Sequence, residues 1–217
     1  YILLAVFAGS AVYTVIKCIR RKKAKDRLFR WFSGVVLGAG ILLFLYTAGC
    51  GINYYRTPFS EEEGISVYSY SGDELAQVCM WLTEEVDARS SQVSRDENGV
   101  MELDAPEGEG AVETMEKLAE TYPSLKGYYP RPKRLLVPEV LSVQGLTGIY
   151  LPFTIEANYN GDITAYNIPF TVCHELSHLR GFMEEKEANF IAFLACINSE
   201  RMDFQYSGYL SGWVYCM

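Results

Sequence analysis

The sequence predicts a mostly helical α+β domain preceded by a hairpin of two apolar helices. Three observations predict it. Two uncharged stretches, residues 1–16 and 31–52, flank a strongly basic segment. Amphipathic segments at helical spacing recur from residue 73 onward. Short runs of β-branched and aromatic residues, punctuated by Gly, Pro and Asn, fall within residues 133–160.

The bulk numbers narrow the classes. The chain has 217 residues, 49% hydrophobic and 14% aromatic. Its mean hydropathy is +0.02. That is too apolar for a disordered chain and too polar for one embedded in lipid throughout. None of the six cysteines forms a C-x-x-C pair, so a thiolate zinc site or a thioredoxin-type motif is not expected. No glycine-rich phosphate loop is present, which leaves nucleotide chemistry without support. Tyr1 falls inside an apolar run and Met217 closes an aromatic one, so both ends are expected to continue further.

Each element follows in order. Residues 31–52 are 22 uncharged residues, the length that spans a bilayer, with Trp31 at one end and Tyr54 and Tyr55 at the other. Residues 1–16 are shorter. A signal peptide would carry its positive charge before the apolar run, not after it, so a two-span hairpin is the better reading. Residues 17–30 carry eight Lys/Arg against the single acid Asp26, and such a loop stays in the cytoplasm. The expected division is therefore a membrane hairpin over 1–52 and an extracytoplasmic domain over 53–217, giving a multi-pass cell-membrane protein with the lipid bilayer as a partner. Residues 53–217 keep 11 Lys/Arg against 26 Asp/Glu, a net charge of −15. A polyanion is a poor ligand for such a surface, so no nucleic acid partner is expected.

In the outer part, Leu75, Val78, Cys79, Leu82 and Val86 repeat at helical spacing over residues 73–88. Residues 89–110 read as a polar loop. Residues 111–121 form a second amphipathic helix that stops before Pro123. Residues 133–138 and 148–159 read as strands or extended segments, with prolines that favour edge positions. Residues 168–180 read as a helix with Pro169 in its first turn and Gly181 at its end. Residues 183–199 form a further helix.

Chemistry concentrates in one place. The chain's two histidines stand four apart in His174-Glu175-Leu176-Ser177-His178. On a helix they share one face, about 6 Å apart along the axis, so both imidazoles can reach one Zn2+ ion. Glu175 lies about 100° further round the helix, placed to act on a water as general base. A catalytic zinc site needs a third protein ligand. With no third histidine, a carboxylate must supply it. On the wheel of the next helix, Ala188, Ala192 and Ala195 form a narrow face for close approach to the zinc-bearing helix. Glu185 borders that face on one side and Glu184 on the other, while Glu187 points elsewhere. Asn189, four residues after Glu185, could brace a ligand. Cys173 and Cys196 could pair outside the cytoplasm, or serve as small buried apolar groups.

The pattern H-E-L-S-H followed by Glu185-Lys186-Glu187-Ala188-Asn189 resembles the gluzincin signature H-E-x-x-H … E-x-x-A-D/N of zinc metallopeptidases. The resemblance implies His174, His178 and Glu185 as metal ligands, Glu175 as catalytic base, Zn2+ as cofactor, a zincin-like domain and a peptide or protein substrate. It also implies that the extended segment 148–160 pairs with the substrate backbone. A partial match to the metzincin pattern would instead use Glu184. Tyr206, Tyr209 and Arg201 are candidate oxyanion donors. A wider resemblance covers most of the chain. Asn53-Tyr54-Tyr55-Arg56-Thr57-Pro58, the segment from Pro152 to Asn158, and the segment from Tyr206 to Leu210 are similar to motifs of an uncharacterised bacterial membrane family, domain of unknown function 3810. The competing functional expectation is a sensor or regulator that keeps the metal site without broad proteolysis.

Overall fold

The structure is a computed structural model and describes residues 2–19, 24–104 and 107–217. The chain forms two compact units, Tyr1–Ala48 and Gly49–Met217.

The first unit is two helices, α1 (Ile2–Ile19) and α2 (Ala24–Gly49). They touch through Phe7 and Trp31, whose ring centroids are 5.9 Å apart, and Trp31 Nε1 donates to Ser10 Oγ at 3.4 Å. Most apolar side chains of α2 are exposed to solvent, Leu37 and Phe44 among them. Among the described residues one helical stretch, Lys25–Tyr55, is long and apolar enough to cross a membrane, and the apolar part of α1, Ala5–Lys17, is shorter. Residues 20–23 of the expected basic loop lie outside the described residues.

The second unit is mostly helical, with a small sheet. Its helices are α3 (Phe59–Glu62), α4 (Gly72–Ser90), α5 (Glu107–Thr121), α6 (Glu139–Gln144), α7 (Asn167–Leu179), α8 (Glu185–Ile197) and α9 (Met202–Cys216). Ser71 opens α4 with a capping box: its hydroxyl accepts from the Glu74 N–H, and the Glu74 carboxylate accepts from the Ser71 N–H. The strands are β1 (Lys133–Arg134), β2 (Gly148–Leu151) and β3 (Glu156–Tyr159), in the order β1-β3-β2. Strand β1 runs parallel to β3, and β2 runs antiparallel to it. The expected extended segment 148–160 is thus a hairpin. Residues 152–155 turn the chain, and Ile155 sits in that turn at φ 54° instead of in a strand.

Helix α7 is the centre of this unit. It packs against α5, α8, α9, β2 and β3. Val172, Cys173 and Leu176 are fully buried with Met115, Ile191 and Phe204 in one apolar core. The start of α7 lacks a side-chain cap of its own. Ser207 of α9 supplies one: its hydroxyl accepts from the Phe170 N–H at 3.0 Å and donates to the Tyr166 carbonyl.

Helix α9 has no counterpart in the sequence reading. Its glycines look like helix breakers, but they serve close packing. A β-carbon on Gly208 would come within 2.5 Å of Cys196 Cβ on α8. The beginning of α5 likewise extends into the expected polar loop.

Candidate metal centre

The end of α7 shapes the site. Gly181, at φ 95°, takes a left-handed conformation that a β-carbon would strain. The Gly181 N–H then donates to the His178 carbonyl and the Phe182 N–H to the Ser177 carbonyl, the two bonds of a Schellman turn. This turn folds the chain back on itself. The Phe182 carbonyl consequently stands 2.9 Å from His178 Nδ1, and Glu184 caps the start of α8.

The reversal brings Glu185, the first residue of α8, to both histidines. Its Oε2 is 3.2 Å from His174 Nε2 and its Oε1 is 3.5 Å from His178 Nε2. Two atoms each bound to zinc at about 2.0–2.1 Å with tetrahedral geometry lie about 3.3 Å apart. The Glu185 carboxylate approaches the two rings with different oxygens. The three groups all fall within 4.8 Å of one another.

The protonation states suit a cation. Burial first, then the neighbouring His178, lowers the His174 pKa to about 4, against a hydrogen bond to the Asn189 side chain that raises it. At neutral pH His174 is therefore a neutral imidazole with a lone pair to offer. At His178, Nδ1–H donates to the Phe182 carbonyl, which leaves Nε2 as the free donor atom facing Glu185. The two imidazoles and the Glu185 carboxylate form one group of three that could hold a metal ion.

Glu175 sits beside them, almost fully buried. Burial, and then the charge of Glu185, raise its pKa to about 8, against a backbone hydrogen bond from Tyr150. A carboxyl held in that range can take and return a proton. The sheet meets it edge-on. A β-carbon on Gly148 would come within 2.5 Å of Glu175 Oε1, so only glycine allows the strand this close. The Asn160 N–H bonds the Thr147 carbonyl, which fixes the alternation of the hairpin ladder. In that alternation Gly148 and Tyr150 turn their own N–H and C=O groups away from β3, to the free edge of β2.

A cleft of about 340 Å³ opens at this point, lined by Thr147, Phe170, His174, Glu185, Asn189 and Tyr215 among others. The Tyr215 hydroxyl donates to Asn189 Oδ1 at 3.3 Å. Burial, and then the Glu185 charge, push the Tyr215 phenol above its ordinary value, so it stays protonated.

The structure thus places His174, His178, Glu185 and Glu175 together. It leaves the other candidates outside. Glu184 faces Lys186 at 3.5 Å. Glu187 accepts from the Ser60 N–H and hydroxyl, at 3.1 and 3.3 Å, and anchors the start of α3. Tyr209 packs on Trp81 beneath the Arg89 guanidinium, and Arg201 is bound to buried Asp203. Neither is among the residues lining the cleft, and nor is Tyr206. Cys173 and Cys196 meet between α7 and α8 as buried, free thiols in hydrogen-bond contact. The sequence reading singled out segment 148–160 but missed the close approach of Gly148 to Glu175, the carbonyl of Phe182 and Tyr215. Backbone groups leave no residue-type signal, and Tyr215 resembles any of its aromatic neighbours.

A mostly helical domain with two helical histidines and one carboxylate at metal-ligand spacing, following an apolar helix, is the class that fold and site define. All of residues 1–217 match the family described as "Protein of unknown function (DUF3810)", and the chain belongs to that family. No curated protein and no solved structure matches it.

Proposed function

We propose that this is a zinc-dependent peptidase of gluzincin type, anchored in the cell membrane with Gly49–Met217 on the extracytoplasmic side. The observation that carries the reading is the approach of the Glu185 carboxylate to both Nε2 atoms, at 3.2 and 3.5 Å, with a buried carboxyl alongside. His174, His178 and Glu185 would hold the ion. A bound zinc ion supplies Lewis acidity, acidifying water and polarising a carbonyl. Glu175 takes the proton from the attacking water and passes it to the leaving amine. Asn189 and the Phe182 carbonyl fix the two imidazoles. Apart from the Tyr150 N–H, which bonds Glu175, the outer edge of β2 offers the Gly148 backbone groups and the Tyr150 carbonyl for antiparallel pairing with an extended peptide, which favours a substrate read by its backbone over one read by its sequence. The anchoring is supported by the apolar stretch Lys25–Tyr55 and by the basic segment before it, which orients such a helix with its start in the cytoplasm.

The test is metal analysis of the purified chain together with a peptide-library cleavage assay. One zinc per chain and cleavage that disappears in Glu175→Gln support the proposal. Zinc without cleavage of any library member favours the sensor reading instead, and no zinc overturns the metal centre. Gly148→Val tests the strand edge: it should retain zinc and lose cleavage, because the added side chain enters the Glu175 position.

A further inference from the structure

The turn between the two ligand helices is braced by the segment that follows the apolar helix. Cys50 Sγ lies 3.3 Å from Met183 Sδ. The Asn53 amide nitrogen stands 3.4 Å from where a β-carbon on Gly181 would be. Arg56 makes the firmest attachment. Its Nη1 donates to the Arg180 carbonyl at 2.7 Å, and its guanidinium lies 3.9 Å from the centre of the Phe182 ring. Its Nη2 donates to Glu62 Oε2 at 2.9 Å, which orients the fork.

Each contact falls on a residue that matters to the site. Arg180 ends α7, where free carbonyls concentrate negative potential, so a guanidinium is favoured there. The carbonyl of Phe182 holds His178 Nδ1. Arg56 therefore fixes Phe182 twice, through the preceding backbone and through its ring. Glu185 follows three residues later. Both the last histidine and the carboxylate thus depend on a corner that Arg56 clamps. The Arg180 side chain braces the same corner from the other side, donating to the Lys126 carbonyl at 2.8 Å. The two braces make the contribution of Arg56 a measurable quantity.

We propose that Arg56 is a positioning residue of the metal centre, and that the segment leaving the apolar helix sets the affinity of the site through it. This rests on the reading of His174, His178 and Glu185 as metal ligands. The experiment measures Zn2+ affinity of the full chain by chelator competition, and the visible spectrum of the Co2+-loaded protein. Wild type, Arg56→Ala, Arg56→Lys, and Arg56→Ala with added guanidinium ion below denaturing concentration are compared. Loss of a partner that orients a ligand typically weakens a metal site by about ten- to a hundredfold. Arg56→Ala should fall in that range, with an altered Co2+ spectrum, and guanidinium should restore both. Arg56→Lys should restore neither fully, because an ammonium cannot stack on Phe182 and bond the Arg180 carbonyl with one planar group. Wild-type affinity and spectrum in Arg56→Ala overturn the inference while leaving the metal centre standing. Absence of Zn2+ binding by the wild type removes the metal centre and the inference together. Should Arg56→Ala fail to fold, Arg56→Lys decides: an altered spectrum supports the clamp, and wild-type behaviour refutes it.

Discussion

Two helix pairs of the second unit treat their polar groups in opposite ways. Where α4 packs on α9, polar side chains satisfy one another. Arg89 bonds Glu85 and Gln205 and covers the Tyr209 ring, while Trp213 Nε1 donates to Thr83 Oγ1 at 3.0 Å. Helix α7 packs on α8, where Ala188, Ala192 and Ala195 are fully buried and the Cys173 and Cys196 thiols meet. The polar groups are gathered at one end, where His174, Glu185 and Asn189 line an open cleft. The first pair uses its polarity to hold helices together. The second holds its helices with methyl groups and leaves its polarity available for a ligand. Burial of polar groups costs free energy unless they are paired, so titratable groups gathered at a cleft are informative in a way that a saturated network between helices is not.

This contrast can be broken in graded steps. The largest effect is expected for Glu175→Gln, which should lower kcat/KM by about 10²- to 10⁴-fold, the usual worth of a positioned general base, with zinc content unchanged. An equal rate in the variant would remove Glu175 from the chemistry. Next, Glu185→Ala should weaken zinc binding by about a hundredfold or more, beyond the usual loss for an outer partner, whereas Glu184→Ala should leave it alone. Equilibrium dialysis separates them, and the reverse order would point to the metzincin-type arrangement. Third, Ala192→Leu should cost about 1–3 kcal/mol in urea unfolding, because the added methylenes enter a fully buried position. It should also weaken zinc binding, since it pushes α8 away from α7. The smallest effect belongs to the other pair. Arg89→Ala should cost only about 1 kcal/mol, as expected for a partly exposed network of ion pair and ring stacking, with zinc affinity unchanged. A loss of zinc in Arg89→Ala would show that the two helix pairs are not independent.

Much of the site was legible because its chemistry needs particular residue types at helical spacing. His174 and His178 four apart, Glu175 between them and a run of acids beyond Gly181 restrict the options before any coordinate is known. The alanine face of α8 was legible too, since small residues at helical spacing predict close approach. Which of three nearby glutamates meets the histidines was not readable from their types, and the wheel left two in play. The Schellman turn settles it, because the angle at which α8 leaves Gly181 aims its first residue at α7. The hairpin at 152–155 was hidden because Pro152 reads as an edge strand residue, while the turn depends on Ile155 adopting an uncommon φ. Helix α9 was hidden by its own glycines, whose low propensity is offset by close packing against α8 and α4.

Residue order alone determined the apolar helix and its basic flank, the mostly helical character of the remainder, and the pairing of two imidazoles with a neighbouring carboxyl. Those properties are local: they depend on composition and on a repeat of 3.6 residues. Tertiary structure decided which glutamate meets the two histidines, the approach of Gly148 to Glu175 and the grip of Arg56 on the corner. Each of these joins residues distant in the chain or separated by a turn, and only the packed core brings them within hydrogen-bond range.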